Sequence, residues 1–206
     1  MNKALELQKL KEVMENDKKL PLISKPTDII PGDGNPDSEI VFIGEAGGYH
    51  ESIQRKPFVG NAGMLLNQLL RSINLPRENV YITNMVKTRP PENRDPLPKE
   101  LDAFSRYLDQ ELEIINPKAV VTLGRFSMGK FLPSARITTV HGKPHEVNWK
   151  GKSLLVVPMF HPAAALRNGE VLYKIKEDFL KLPEILSEYK RKKEEKKVEI
   201  VQEKLI

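Results

Sequence analysis

Short apolar runs alternate with longer amphipathic stretches along this chain, and that alternation predicts most of its elements. Residues 3–15 place Leu5, Leu7, Leu10, Val13 and Met14 near helical spacing, with Pro21 and Pro26 closing the stretch. The segment 25–38 is rich in Pro, Gly, Asp and Asn and reads as loop. Four strands follow from apolar runs: Glu39 to Ile43, Val80 to Thr83, Ala119 to Leu123 and Leu154 to Pro158. Helical periodicity covers Asn61 to Ile73, through Met64, Leu65, Gln68, Leu69 and Ser72, and then Lys99 to Ile115. Four prolines make Thr88 to Pro98 irregular. Gly124 opens a further short helix, and Val147 to Ser153 reads as a hairpin turning at Lys150-Gly151. A last helix spans Gly169 to Tyr189 and is expected to break near Pro183.

Strands that are apolar throughout and alternate with helices indicate a parallel sheet covered on both faces. In such sheets ligands bind beyond the carboxyl ends of the strands. The periodicity places one folded domain over 1–189. Residues 190–206, with seven Lys or Arg against four Glu, form a basic C-terminal tail, read as a solvated helix end or loose tail, with a DNA-touching arm as the alternative.

Composition narrows the class only a little. At 206 residues and 39% hydrophobic content the chain can build one core. A net charge of +5 makes an acidic partner plausible. The absence of cysteine excludes disulfides, thiolate nucleophiles and cysteine-bound zinc or iron. No apolar run approaches the ~20 residues that span a membrane. The N-terminus lacks the apolar core of a signal peptide, so cytoplasmic residence and no membrane association are expected.

The candidate chemistry sits on loops that follow the apolar runs. Gly44 to Glu51 carries two acids, Glu45 and Glu51, on a glycine-rich turn. A carboxylate there would repel phosphate but suits a developing sugar cation or the water that attacks it. The three-glycine dinucleotide fingerprint and the P-loop lysine are both absent. Phe58, between Pro57 and Val59-Gly60, can offer its face to a base. Asn84 ends a strand, and its amide matches the O4 and N3–H edge of a pyrimidine. Lys87, Arg89 and Arg94 stand among prolines, as a clamp on a DNA backbone would. His161 follows the fourth strand and can donate to an oxygen gaining negative charge. Ala165, Leu166 and Arg167 place an apolar wedge beside a cation, a pattern that fills the gap left by an extruded base. His50, His141 and His145 show no metal-ligand spacing with the carboxylates.

Taken in order, Gly44-Glu45, Pro57-Phe58-Val59-Gly60-Asn61-Ala62-Gly63, Tyr81-Ile82-Thr83-Asn84, Lys87-x-Arg89-Pro90-Pro91-x-Asn93-Arg94 and His161-Pro162-Ala163 resemble the uracil-DNA glycosylase superfamily, closest to family 4. The resemblance runs from about Gly34 to Asn168. It implies a three-layer αβα sandwich with a central, four-stranded, mainly parallel sheet. It also implies a monofunctional enzyme that flips uracil out of DNA, hydrolyses its glycosidic bond and leaves an abasic site. Glu51, Asn84 and His161 would be catalytic. Glu45 and Ala46 (through their backbone), Phe58, Asn84 and His161 would hold uracil, and Lys87, Arg89, Arg94, Ala165, Leu166 and Arg167 would hold DNA. The expected partner is uracil-containing DNA, bound by a monomer. Hypoxanthine or xanthine excision and non-catalytic binding of damaged DNA are the alternatives.

The chain departs from the family at informative places. The four cysteines that usually hold an iron–sulfur cluster correspond to Asp17, Leu20, Thr88 and Phe104, so no cofactor is expected and apolar packing should fill that place. Gly47 replaces the usual Pro, which should loosen the turn, and Ser52 replaces the usual Asp. Tyr49 is a candidate either to wall off the methyl group of thymine or to widen specificity.

Overall fold

The computed structural model describes residues 2–203, with side chains through Lys196. Its elements, in chain order, are α1 (Lys3–Asn16), β1 (Asp33–Gly34), β2 (Ile40–Ala46), α2 (Tyr49–Gln54), α3 (Asn61–Ser72), β3 (Tyr81–Val86), α4 (Pro98–Ile115), β4 (Ala119–Leu123), α5 (Arg125–Phe131), α6 (Ile137–Val140), β5 (His145–Trp149), β6 (Lys152–Met159), α7 (Pro162–Ala165) and α8 (Gly169–Glu203). The strands form one sheet in the order β1-β3-β2-β4-β6-β5. Its four central strands, β3, β2, β4 and β6, are parallel as expected. Two antiparallel edge strands extend the expected four to six: β1 on β3, and β5 on β6. The β5–β6 hairpin turns at Lys150 and Gly151, with φ of 49° and 79°. Two successive positive φ values match a two-residue turn whose twist suits the flanking strands.

Strand alternation sorts the core into layers. Phe42, Ile82, Val121 and Val157 face one side, where they meet Leu66 and Leu70 of α3 and Ile175, Phe179 and Leu182 of α8. Val41, Ile43, Tyr81, Val120 and Val156 face the other, against Leu108, Leu112 and Ile115 of α4. The result is an αβα sandwich. Pro183 does not interrupt α8, contrary to the sequence reading. A proline removes one helical N–H and crowds the preceding turn, but burial of Phe179 and Leu182 against the sheet holds that turn in place. The same helix carries residues 190–203 of the basic run; residues 204–206 lie outside the described residues. No helix among the described residues is long and apolar enough to cross a membrane.

A third apolar cluster lies at the positions where the resemblance implies an iron–sulfur cluster. Leu20 and Phe104 pack there with Leu10, Met14, Ile29, Val86 and Tyr107. Asp17 accepts a hydrogen bond from the Tyr107 hydroxyl at 2.6 Å and pairs with Arg106. Thr88 is buried, and its carbonyl accepts from the Gly47 amide. None of these four positions offers a thiolate, and no set of three or more His, Asp or Glu able to hold a metal exists among the described residues. The residues do not fit the cluster. Phe104 is fully buried, so Phe104→Ala is expected to cost about 3–5 kcal/mol of unfolding free energy, the range for truncating a core aromatic. Chemical denaturation checks this, and a cost near zero would show that this packing does not support the fold.

Candidate active site

The carboxyl ends of β2, β3, β4 and β6 converge on a pocket of about 480 Å³ lined by residues from the loops that follow them. Parallel register sets Gly44 of β2 beside Asn84 of β3. A Cβ on residue 44 would come within 2.4 Å of Asn84 Oδ1 and 2.5 Å of the Phe58 ring. Only glycine lets amide and ring close over this strand end. Asn84 is buried, and its Oδ1 has no hydrogen-bond partner. An orphaned buried acceptor is costly unless a ligand completes it. Phe58 adopts a left-handed φ of 53°, and its ring faces His161 at 5.5 Å between centroids, inclined by 27°.

Glu51 opens the short helix α2 and lies against the Pro57–Gly60 loop. Its Oε2 accepts from the Gly48 amide at 3.2 Å, and its Oε1 accepts from the Val59 and Gly60 amides at 2.9 and 2.8 Å. Three donors fix both oxygens and occupy three of the four lone-pair sites, leaving one free, on Oε2. Ser52 turns away and donates to the Tyr49 carbonyl at 2.7 Å, so it adds nothing to the pocket wall.

His161 caps α7, and the Ala163 amide donates to its Nδ1 at 3.1 Å. In a neutral ring this leaves the proton on Nε2. The ring is neutral at ordinary pH, because burial and then Arg167 push its pKa down to about 4 against the opposing pull of Glu51. Glu45 moves the other way, up to about 7, through burial and the neighbouring Asp95, partly offset by Arg125.

Not every side chain reaches the place its sequence position suggests. Lys87 is fully buried and pairs with Glu111 and Thr83 beneath the sheet, so it cannot hold a DNA backbone. The strand alternation turns it inward, where α4 supplies the opposite charge. Ala165 is a core residue and is corrected likewise; its neighbour Leu166 is 52% exposed and remains available as a wedge. Arg94 lines the pocket, but Glu100 holds its guanidinium bidentately at 2.6 and 2.8 Å, so it anchors the loop instead of being free for phosphate. Arg167 also lines the pocket. Arg89 is half-buried, donates to Asn93 at 2.8 Å and lies over the Tyr49 ring at 5.1 Å. Tyr49 is exposed and does not line the pocket, which removes it as a wall against a methyl group. The turn at Gly47 is not left loose, since its amide donates to the Thr88 carbonyl at 3.1 Å, a bond proline could not make. Sequence reasoning missed Asp95, Arg125 and Phe160, which also line the pocket. Arg125 lies two residues beyond the end of β4, after Gly124, and the strand-end rule could have found it.

A carboxylate, a neutral imidazole donor and an aromatic face line one pocket, and the orphaned Asn84 amide is buried outside that lining, against Gly44 where the Phe58 ring also closes; this set suits cleavage of a bond between a flat heterocycle and a sugar. The chain belongs to the uracil DNA glycosylase superfamily, whose family model matches residues 31–200. It is 45% identical to a type-4 uracil-DNA glycosylase of Sulfurisphaera tokodaii over 90% of this chain and 87% of that protein. It is 43% identical to one of Archaeoglobus fulgidus over 82% and 87% of the two chains, and 45% identical to one of Thermotoga maritima over 72% and 77%.

Two predictions follow from the geometry. Lys87→Ala should cost about 3–5 kcal/mol of stability by stranding Glu111, while leaving the salt dependence of DNA binding unchanged. Arg167→Ala should lower that salt slope by about one. Titrations of DNA affinity against salt decide the point, and a slope lowered by Lys87→Ala would refute its buried role. Second, the excision rate should fall as pH rises through about 7, when Glu45 ionises beside the departing anion, and should show no step near 6.5, the ordinary imidazole value. Glu45→Gln should abolish the fall; a persistent fall would assign it to another group.

Proposed function

We propose that this protein is a monofunctional uracil-DNA glycosylase that extrudes uracil from DNA, hydrolyses its N-glycosidic bond and leaves an abasic site. The observation that carries this reading is the buried, unpartnered Asn84 Oδ1 beside the Phe58 ring. An acceptor fixed there requires a donor on the base, and uracil N3–H supplies one while cytosine N3 does not. Phe58 stacks on the extruded ring, and Leu166 fills the space it leaves in the duplex. As the C1′–N1 bond breaks, its electron pair moves into the uracil ring and positive charge grows on the sugar. The Glu51 carboxylate stabilises that cation and takes a proton from the water that attacks C1′. The Nε2–H of neutral His161 donates to the uracil oxygen that becomes anionic. Neutrality suits this role, because the ring stabilises the leaving anion without needing a proton from solvent.

Among the described residues no lysine lines the pocket, which supports hydrolysis without a Schiff base or strand cleavage. One chain supplies every group invoked, so we assign the activity to a monomer. We place that monomer in the cytoplasm, acting on the genome.

The test is single-turnover cleavage of labelled duplexes carrying U:G, U:A, hypoxanthine or xanthine, followed by alkali. Uracil release is expected, with Glu51→Ala and His161→Ala each slower by about 100-fold or more at near-parental DNA affinity. Binding without base release would reject the enzymatic reading. Release of purine lesions only would reject the uracil assignment.

A further inference from the structure

The loop that carries Phe58 is gripped from behind by a residue that lies outside every motif described above. Arg77 follows α3 on a short 3₁₀ turn, 19 positions after Phe58. Its Nη2 donates to the Pro57 carbonyl at 2.6 Å, and its Nη1 donates to the Phe58 carbonyl at 3.1 Å. Asp33 and Asn67 hold the guanidinium in turn, at 3.4 and 3.3 Å. Behind the same carbonyl stands Gly63 of α3, where a Cβ would fall 1.9 Å from the Phe58 oxygen. Phe58 itself has a φ of 53°, a conformation that persists only where the surroundings enforce it.

The Phe58 carbonyl and the Val59 amide belong to one planar peptide unit. Its oxygen accepts from Arg77, and its N–H donates to Glu51 Oε1 at 2.9 Å. In a trans peptide these two groups point in opposite directions. The guanidinium therefore meets the negative end of the peptide dipole and the carboxylate meets the positive end. Both charges orient the same dipole, and each hydrogen bond strengthens the other.

We propose that Arg77 is a positioning residue, fixing the base-stacking ring and the Glu51 carboxylate together through the Phe58–Val59 peptide. This assignment rests on the roles given above to Phe58 and Glu51. Arg77 touches neither base nor water; it sets the angle of the ring and the bearing of the carboxylate. A lysine could not replace it, because one ammonium lacks the planar fork that spans two adjacent carbonyls.

The test compares Arg77→Ala and Arg77→Lys with the parent in single-turnover uracil release at saturating enzyme, alongside DNA affinity and thermal unfolding. Arg77→Ala is expected to slow release by about 10–100-fold with affinity unchanged. Guanidinium ion added to that variant should restore part of the rate. Combined with Glu51→Ala, Arg77→Ala should add little further loss, because the two act through one peptide. A parental rate in either variant would overturn the assignment, and Arg77→Lys carries this test if Arg77→Ala does not fold. Full additivity with Glu51→Ala, or a loss that guanidinium does not relieve, would overturn it as well. A parent protein that releases no uracil would instead sink the glycosylase reading and this assignment with it; release by the parent with unaffected variants would sink this assignment alone.

Discussion

One carboxylate joins the two loops on which this site depends. Glu51 belongs to α2, the short helix after β2, yet two of its three amide partners, Val59 and Gly60, lie on the loop that presents Phe58. Removing those bonds would free both loops at once. The arrangement also fixes where charge sits. Glu51 brings a positioned carboxylate to one part of the pocket, while burial keeps His161 neutral and Glu45 protonated up to about 7. A reaction that separates charge needs that asymmetry, with a positioned anion for the sugar cation and uncharged donors for the departing base. Groups already oriented by the fold do not have to reorganise as the bond breaks.

Much of this was legible in the chain. The central strands are short apolar runs, and their alternation assigns Phe42 and Val41 to opposite faces without any tertiary knowledge. Glu51 and His161 lie just beyond strand ends and Phe58 on a glycine-bearing turn, whereas Asn84, read as the end of its strand, lies inside β3, two residues before Val86; a parallel sheet brings these segments to one end. Features set by distant partners were not legible. Lys87 reads as a surface cation because Glu111, which neutralises it, lies 24 positions away on α4. Arg94 reads as free because nothing local shows that Glu100 will take both of its nitrogens. Arg77 has no motif at all, since its role exists only once four separate segments meet. The edge strand β1 is two residues long and carries no periodicity to detect.

The absence of thiolates poses a physical question that the structure answers in pieces. A metal cluster would be a covalent cross-link between the N-terminal segment, the exit of β3 and α4. Here three weaker contacts of different kinds join these segments and the turn after β2. Leu20 and Phe104 supply apolar burial, Arg94 and Glu100 tie the proline-rich loop to the start of α4, and the Gly47 amide ties the turn after β2 to Thr88. Between the last two lie Glu92 and Asn93, both with a φ of 54°. Such residues cost on the order of 1–3 kcal/mol each, and a lone hydrogen bond returns a net ~1 kcal/mol. No single one of these contacts could hold that loop. The ion pair, the backbone bond and the buried aromatic must act together, which makes the replacement for a metal a distributed one. Its strength then depends on packing and on charge pairing, and so responds to temperature and salt in a way that iron–thiolate bonds would not.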